Sequence, residues 1–319
     1  MVENDDDDDV TLREDIRFIL QNDIDYVIHS IYNNHHEILD LKDVILEEAE
    51  MLGELCTNPD VRIMAKLENE DAINDINQVL DVCDAILVPR GQLGTVLPIE
   101  KISWIQKNII KLCNYKAKPV ILASQFLDSM VFNPFPLRAE VSDIHAAVID
   151  GADGLLLNAE CSVGKYPLDS LVTMNDICIS AEQHFPYQEF FLDMLQNSQK
   201  PMTKSEAVAN SVVRSAFNLH SPVILAQTDI GRLTRNISKY RPFSQVIVIC
   251  NSSRTANACI LGRSCNSILV KQKIGTEGLI KACIDMLKRT EAVKKDADIV
   301  FVSGVKDERI NSQFQIKFI

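Results

Sequence analysis

From about Leu12 to Ser170 the chain repeats one unit, a short apolar run followed by a longer amphipathic stretch. Strands that lie parallel need a crossover to bring the chain back, and a helix is the usual one, so this alternation selects a parallel sheet. Five strands are expected, at Tyr26 to Ser30, Arg62 to Lys66, Ala85 to Pro89, Pro119 to Ser124 and Gly154 to Asn158. Each has the apolar content of a strand covered on both faces. Helices are expected between them, among others at Glu70 to Val82, Ile99 to Tyr115 and Ser142 to Asp150.

The rhythm breaks near Pro186 to Met202, where aromatic residues, Ser, Gln and Pro suggest a linker over 186–202. A second α/β region is expected over 203–319. Its helices are read at Lys204 to Leu219, Gly231 to Tyr240, Arg254 to Leu261 and Thr276 to Lys288. Its strands are read at Val223 to Ala226, Val246 to Ile249, Ile268 to Val270 and Asp298 to Val302. Ahead of the first region, the acidic run Asp5 to Asp9 repels itself and lacks apolar periodicity, so residues 1–10 read as a solvated, disordered tail.

With 319 residues and 46% hydrophobic content, the chain has enough apolar material for one large or two medium domains. A net charge of −13 opposes nucleic-acid binding, which needs a basic stripe to neutralise phosphates. No run approaches the ~18 apolar residues of a membrane span, and the acidic start does not resemble a secretory signal. Nine cysteines without a CxxC pair read as reduced thiols, so a cytoplasmic protein is the expectation.

Ligands of parallel α/β folds bind beyond the carboxyl ends of the strands, so the residues leaving each strand carry the functional reading. One strand ends in Lys66-Leu-Glu68-Asn69, an ammonium and a carboxylate that suit an anion beside a divalent metal, or that form an ordinary rim ion pair. The next ends in Arg90-Gly91-Gln92-Leu93-Gly94, where backbone amides could face an anion or the glycines could serve only a turn. Ser124 follows the fourth strand, as a rim hydroxyl or a helix cap. After the fifth, Cys161 has a carboxylate neighbour and no histidine near in sequence, which opposes thiol chemistry. His35 and His36 lack a third ligand at metal spacing and read as exposed helix residues.

Taken in order, these strand ends resemble the pyruvate kinase family. Lys66-Leu-Glu-Asn69 is similar to that family's Lys-Ile-Glu-Asn, Arg90-Gly-Gln-Leu-Gly94 to its Arg-Gly-Asp-Leu-Gly, and Lys118-Pro-Val-Ile-Leu-Ala-Ser-Gln125 to its Lys-Pro-Val-x-x-Ala-Thr-Gln. Arg138-Ala-Glu140, Ser142-Asp143, Asp150-Gly-Ala-Asp153, Gly164-Lys-Tyr-Pro167, Gly231-Arg232 and Lys239-Tyr-Arg-Pro242 extend the match. The resemblance implies the last five strands of a (β/α)8 barrel over residues 11–185, followed by the family's smaller α/β regulatory domain. It implies phosphoryl transfer from phosphoenolpyruvate to ADP, giving pyruvate and ATP, with Mg2+ and K+ as cofactors and a tetrameric assembly. By the same resemblance Lys66 neutralises the transferring phosphoryl group, Glu68 holds the metal, and Gly91 and Ser124 hold the substrate carboxylate.

Two departures qualify that expectation. Gln92 stands where the family has its second metal carboxylate, and the strands before Tyr26, the lid, the phosphoryl-gripping arginine and asparagine, and the potassium ligands have no counterpart. Impaired or lost catalysis is therefore expected. The alternatives are a noncatalytic partner of complete pyruvate kinase subunits, as a homo- or hetero-oligomer, and a fragment of a longer enzyme. In the second region the effector-phosphate loop reads Thr228-Asp229-Ile230-Gly231-Arg232-Leu233 where the family has Thr-Lys-Ser-Gly-Arg-Ser. Asp229 in place of a cation predicts no activation by a sugar bisphosphate.

Overall fold

Five parallel strands form the first sheet: β1 (Tyr26–Ile31), β2 (Arg62–Leu67), β3 (Ala85–Pro89), β4 (Val120–Ala123) and β5 (Gly154–Leu156), hydrogen-bonded in sequence order. The computed structural model describes residues 5–270, 276–289, 297–304 and 315–318. Neighbours that follow one another in a single direction, each returned by helix, make this the open arc of a (β/α)8 barrel, with β1 and β5 as its outer strands. Aspartates set the register. Asp84 accepts from the Ile63 amide at 3.1 Å and Asp153 from the Val120 amide at 3.0 Å, each joining the start of its own strand to the preceding one.

The core of this unit follows from the apolar runs. Ile63, Leu67, Ile86, Val88 and Leu122 on the strands pack with Ile38, Leu41, Val79, Leu80, Ile105 and Ile109 on the surrounding helices, all buried. The helix Ile99–Tyr115 has the expected bounds. The stretch Glu70 to Val82 forms two helices, Glu70–Asn74 and Ile76–Val82, interrupted at Asp75. Asp75 is held elsewhere: it accepts from the His35 backbone amide at 2.7 Å and lies 2.8 Å from His35 Nδ1. His35 is thus a half-buried partner of Asp75 rather than an exposed helix residue.

The acidic run departs from the expected tail. A helix spans Asp5–Gln21. The helix is tied down further along. Arg13 and Arg17 reach the fully buried Glu48 of the helix His36–Leu52, at 3.0 and 2.5 Å.

Two compact units divide the chain between Ser180 and Ala181. The second carries a five-stranded sheet ordered β10-β9-β6-β7-β8, with β6 (Val223–Thr228), β7 (Gln245–Cys250), β8 (Cys265–Leu269), β9 (Ile299–Gly304) and β10 (Gln315–Phe318). The strand order reverses at β6, as in a doubly wound sheet, and only β10 runs antiparallel to its neighbour. That last strand has no counterpart among the expected ones. The proposed linker also holds regular structure, a helix at Tyr187–Asn197 that buries Phe191 and Met194. The helix Lys204–Leu219 starts where Thr203 caps it, its hydroxyl accepting from the Glu206 amide at 3.2 Å.

No described helix is long and apolar enough to cross a membrane. The nine cysteines, all within the described residues, are free thiols.

Candidate active site

The parallel register sets Ser30 beside Lys66 at the carboxyl ends of β1 and β2. From there the chain turns so that Glu68 comes back over both. The Lys66 ammonium pairs with the Glu68 carboxylate, and the Ser30 hydroxyl donates to the same carboxylate at 3.0 Å. Burial pushes the Glu68 carboxyl up, but the hydrogen bonds from Lys66 and Ser30 and the Lys66 charge outweigh it and hold the group below the usual carboxylate range. Asn69, the last residue of that motif, has a structural task. Its side chain caps the next helix by accepting from the Ala72 amide at 3.0 Å.

The neighbouring strand ends converge on a second group. Arg90, leaving β3, is 9% exposed and turns its guanidinium inward. One nitrogen takes both carboxylate oxygens of Asp143, at 2.8 and 2.7 Å, while Nε and Nη2 donate to the Ser124 carbonyl at 3.2 and 2.8 Å. Nη2 also donates to the Gln125 carbonyl at 3.2 Å, and the guanidinium carbon lies 3.9 Å from the Phe126 ring centre. Gly91 lies directly against the Ser124 side chain. Ser124 is not a helix cap. Its hydroxyl oxygen accepts from the Asn158 side-chain amide at 3.2 Å, which brings in a residue from the end of β5 that the sequence reading did not single out.

Next to it lies a group of carboxylates. Glu160 is 1% exposed and accepts from the Asn158 amide at 3.0 Å. Glu140 accepts from the Ser129 amide and hydroxyl, at 2.8 and 2.5 Å. Burial, with Glu160 and Glu140 adding their charges, raises the Asp128 carboxyl above its ordinary value against the pull of Arg90. Burial and the charge of Glu160 also raise the Cys161 thiol, which keeps it protonated and a poor nucleophile.

Gln92 is exposed on the short helix Arg90–Val96 and carries no charge. The donor set that the family resemblance implies for Mg2+ is therefore one carboxylate already neutralised by an ammonium plus one neutral amide. Among the described residues no three His, Cys, Asp or Glu side chains converge as they do round a metal. These residues do not fit a tightly held divalent ion.

In the second unit, the loop after β6 is closed on itself. The Thr228 hydroxyl, in a buried residue, accepts from the Gly231 amide at 3.0 Å, and the Asp229 carbonyl accepts from the Thr255 hydroxyl at 2.9 Å. Arg232 opens the helix Arg232–Lys239 and faces solvent. Lys239, from the matched Lys-Tyr-Arg-Pro run, is buried in an ion pair with Glu206 at 2.5 Å, and the Tyr240 hydroxyl lies 3.3 Å from the same carboxylate.

The sequence model described as "Pyruvate kinase, barrel domain" matches residues 6–171, and "Pyruvate kinase, alpha/beta domain" matches residues 206–313. The chain belongs to the pyruvate kinase family. The pyruvate kinase of Dictyostelium discoideum is 33% identical over 296 residues, covering 92% of this chain and 57% of that protein. That of Staphylococcus epidermidis is 32% identical over 292 residues, covering 92% and 48%. The structure titled Cryptosporidium parvum pyruvate kinase in complex with ADP superposes with a TM-score of 0.90 at 28% identity, covering 98% of this chain and 62% of that one. The chain thus spans about half the length of the curated pyruvate kinases it matches. Within the family frame, its barrel unit contributes five parallel strands and its second unit the α/β domain.

Proposed function

We propose that the rim of the barrel unit is a degraded pyruvate kinase site, built for phosphoenolpyruvate or pyruvate and ADP or ATP but impaired in phosphoryl transfer. Lys66 is the group that neutralises the phosphoryl charge, Gly91 and Ser124 receive the substrate carboxylate, and Glu68 with Gln92 forms a weakened Mg2+ site. The observation that carries this reading is the Lys66–Glu68 pair at the end of β2, one strand away from Arg90 and two from Ser124, with a neutral Gln92 on the helix that follows β3. An ammonium satisfied by a carboxylate stays available to an incoming phosphate only if a cation replaces it on Glu68. Without the second carboxylate that exchange is weakly driven. K+ enters this reading through the family resemblance.

The test is pyruvate formation by the purified chain with phosphoenolpyruvate, ADP, Mg2+ and K+, run beside Gln92→Asp and Lys66→Met. Low turnover raised by Gln92→Asp and abolished by Lys66→Met is the expected result. High turnover unaffected by either substitution would sink the proposal.

The outer strand β1 favours a second reading, in which the unit associates with another polypeptide. Ile28 is 51% exposed on that edge and lines an apolar cavity of about 310 Å³ with Phe18, Ile19 and Val27. An open hydrophobic edge is a surface that proteins pair or cover, and a complete pyruvate kinase subunit is the partner this reading names. Co-purification of the two would support it, whereas a monomer in the presence of such a subunit would count against it.

A further inference from the structure

Ser124 and Gln125 both adopt left-handed backbone, with φ of 76° and 59°. Neither is glycine. Two consecutive residues bearing a Cβ avoid this region, and they hold it only where their surroundings impose it. What surrounds them is the Arg90 guanidinium, which takes the carbonyls of these same two residues, while Asp143 grips it with both oxygens and Phe126 covers its face.

We infer that Arg90 is a positioning residue, held by Asp143, that imposes the left-handed Ser124–Gln125 turn and so aims the Ser124 hydroxyl at the rim. The inference rests on the reading above that Ser124 meets a small carboxylate ligand. The guanidinium suits the task because its donors form a rigid planar fork, so holding Nη1 on both oxygens of Asp143 constrains the direction in which Nε and Nη2 donate. A lysine at the same place offers a point charge on a flexible stem and cannot set two carbonyls at once. The aim matters because Asn158 already donates to the Ser124 oxygen. The hydroxyl proton is then left to be given to a ligand, and it can be given in the right direction only while the turn holds.

The experiment compares the wild type with Arg90→Lys, Asp143→Asn, and each of these combined with Gln125→Gly. Three quantities are read: the affinity for oxalate in the presence of Mg2+, the backbone chemical shifts of residues 124 and 125, and the thermal midpoint. Arg90→Lys is expected to weaken oxalate about tenfold or more and to move both residues out of the left-handed region. Asp143→Asn is expected to do the same to a smaller degree, and serves where Arg90→Lys does not fold. Adding Gln125→Gly, which takes positive φ unaided, is expected to restore most of the affinity without restoring the clamp.

If Gln125→Gly raises the midpoint but leaves affinity low, Arg90 is only a structural tie and the inference is overturned. Unchanged chemical shifts in Arg90→Lys overturn it as well. Absence of oxalate binding in the wild type would sink the reading of the site instead, and the chemical shifts alone would then decide whether the clamp sets the turn.

Discussion

The side-chain amide of Asn158, at the end of β5, donates to the hydroxyl oxygen of Ser124, at the end of β4, across 3.2 Å. One hydrogen bond thereby ties two strand ends of the rim together. Asn158→Ala removes the donor and lets Ser124 rotate, at a cost of ~1 kcal/mol, or about fivefold in affinity for a carboxylate ligand. Calorimetry with oxalate, at matched thermal midpoint, measures it. An unchanged affinity would show that Ser124 does not depend on this bond.

On the proposed reading, Gln92→Asp supplies a carboxylate at the position that the family resemblance gives to the second metal ligand. At an effective dielectric near that of a protein surface, one added charge contributes ~1 kcal/mol or more, so Mg2+ affinity is expected to rise roughly tenfold. Titration with Mg2+ followed by calorimetry checks this independently of turnover.

The Glu48 carboxyl is held below its ordinary range, chiefly by the hydrogen bond from Arg17 and also by Arg13, although burial opposes them. A depressed folded-state value means that Glu48 adds stability above its unfolded value of 4.5, and that this stability is lost as pH falls through the folded value. Thermal melts of the wild type are therefore expected to fall steeply below about pH 4.5. Glu48→Gln is expected to melt lower at neutral pH and to show a shallower acid slope. Parallel pH profiles for the two proteins would contradict the assignment.

Gly231 sits at φ 84°, and a Cβ built there would lie 2.8 Å from the Cys259 sulfur. Gly231→Ala therefore combines backbone strain with a clash against a buried side chain. A loss of about 1–3 kcal/mol is expected in urea unfolding of the second unit.

A sugar bisphosphate is expected to give no micromolar binding at the loop 228–233. Asp229 presents like charge, and the Thr228 hydroxyl is already engaged by the Gly231 amide. Calorimetry on the wild type and on Asp229→Lys tests this, with measurable heat expected only in the variant.

Particular residues show how far the sequence reading reached. The strands β1 to β4 fall within a residue or two of their expected bounds, because an apolar run that must be covered on both faces leaves few alternatives. The motif Lys66 to Asn69 does lie at the carboxyl end of its strand, since a parallel strand must deliver its last residues to the rim. Local pattern failed where a distant partner decided the outcome. Asp75 interrupts an otherwise helical stretch while bound to His35, and Asp5 to Asp9 join a helix that Arg13 and Arg17 anchor to Glu48.

The sequence by itself determined the parallel architecture, the order of the strand ends and the chemical types placed there, because these depend on periodicity and on residue identity along the chain. Only the tertiary structure decided that Lys66 neutralises Glu68, that Asn158 holds Ser124, and that Arg90 grips the backbone of a left-handed turn. The last two contacts join segments 34 residues apart in sequence, and the first, though local, is set by the turn that follows β2 and by the Ser30 hydroxyl that β1 brings beside it.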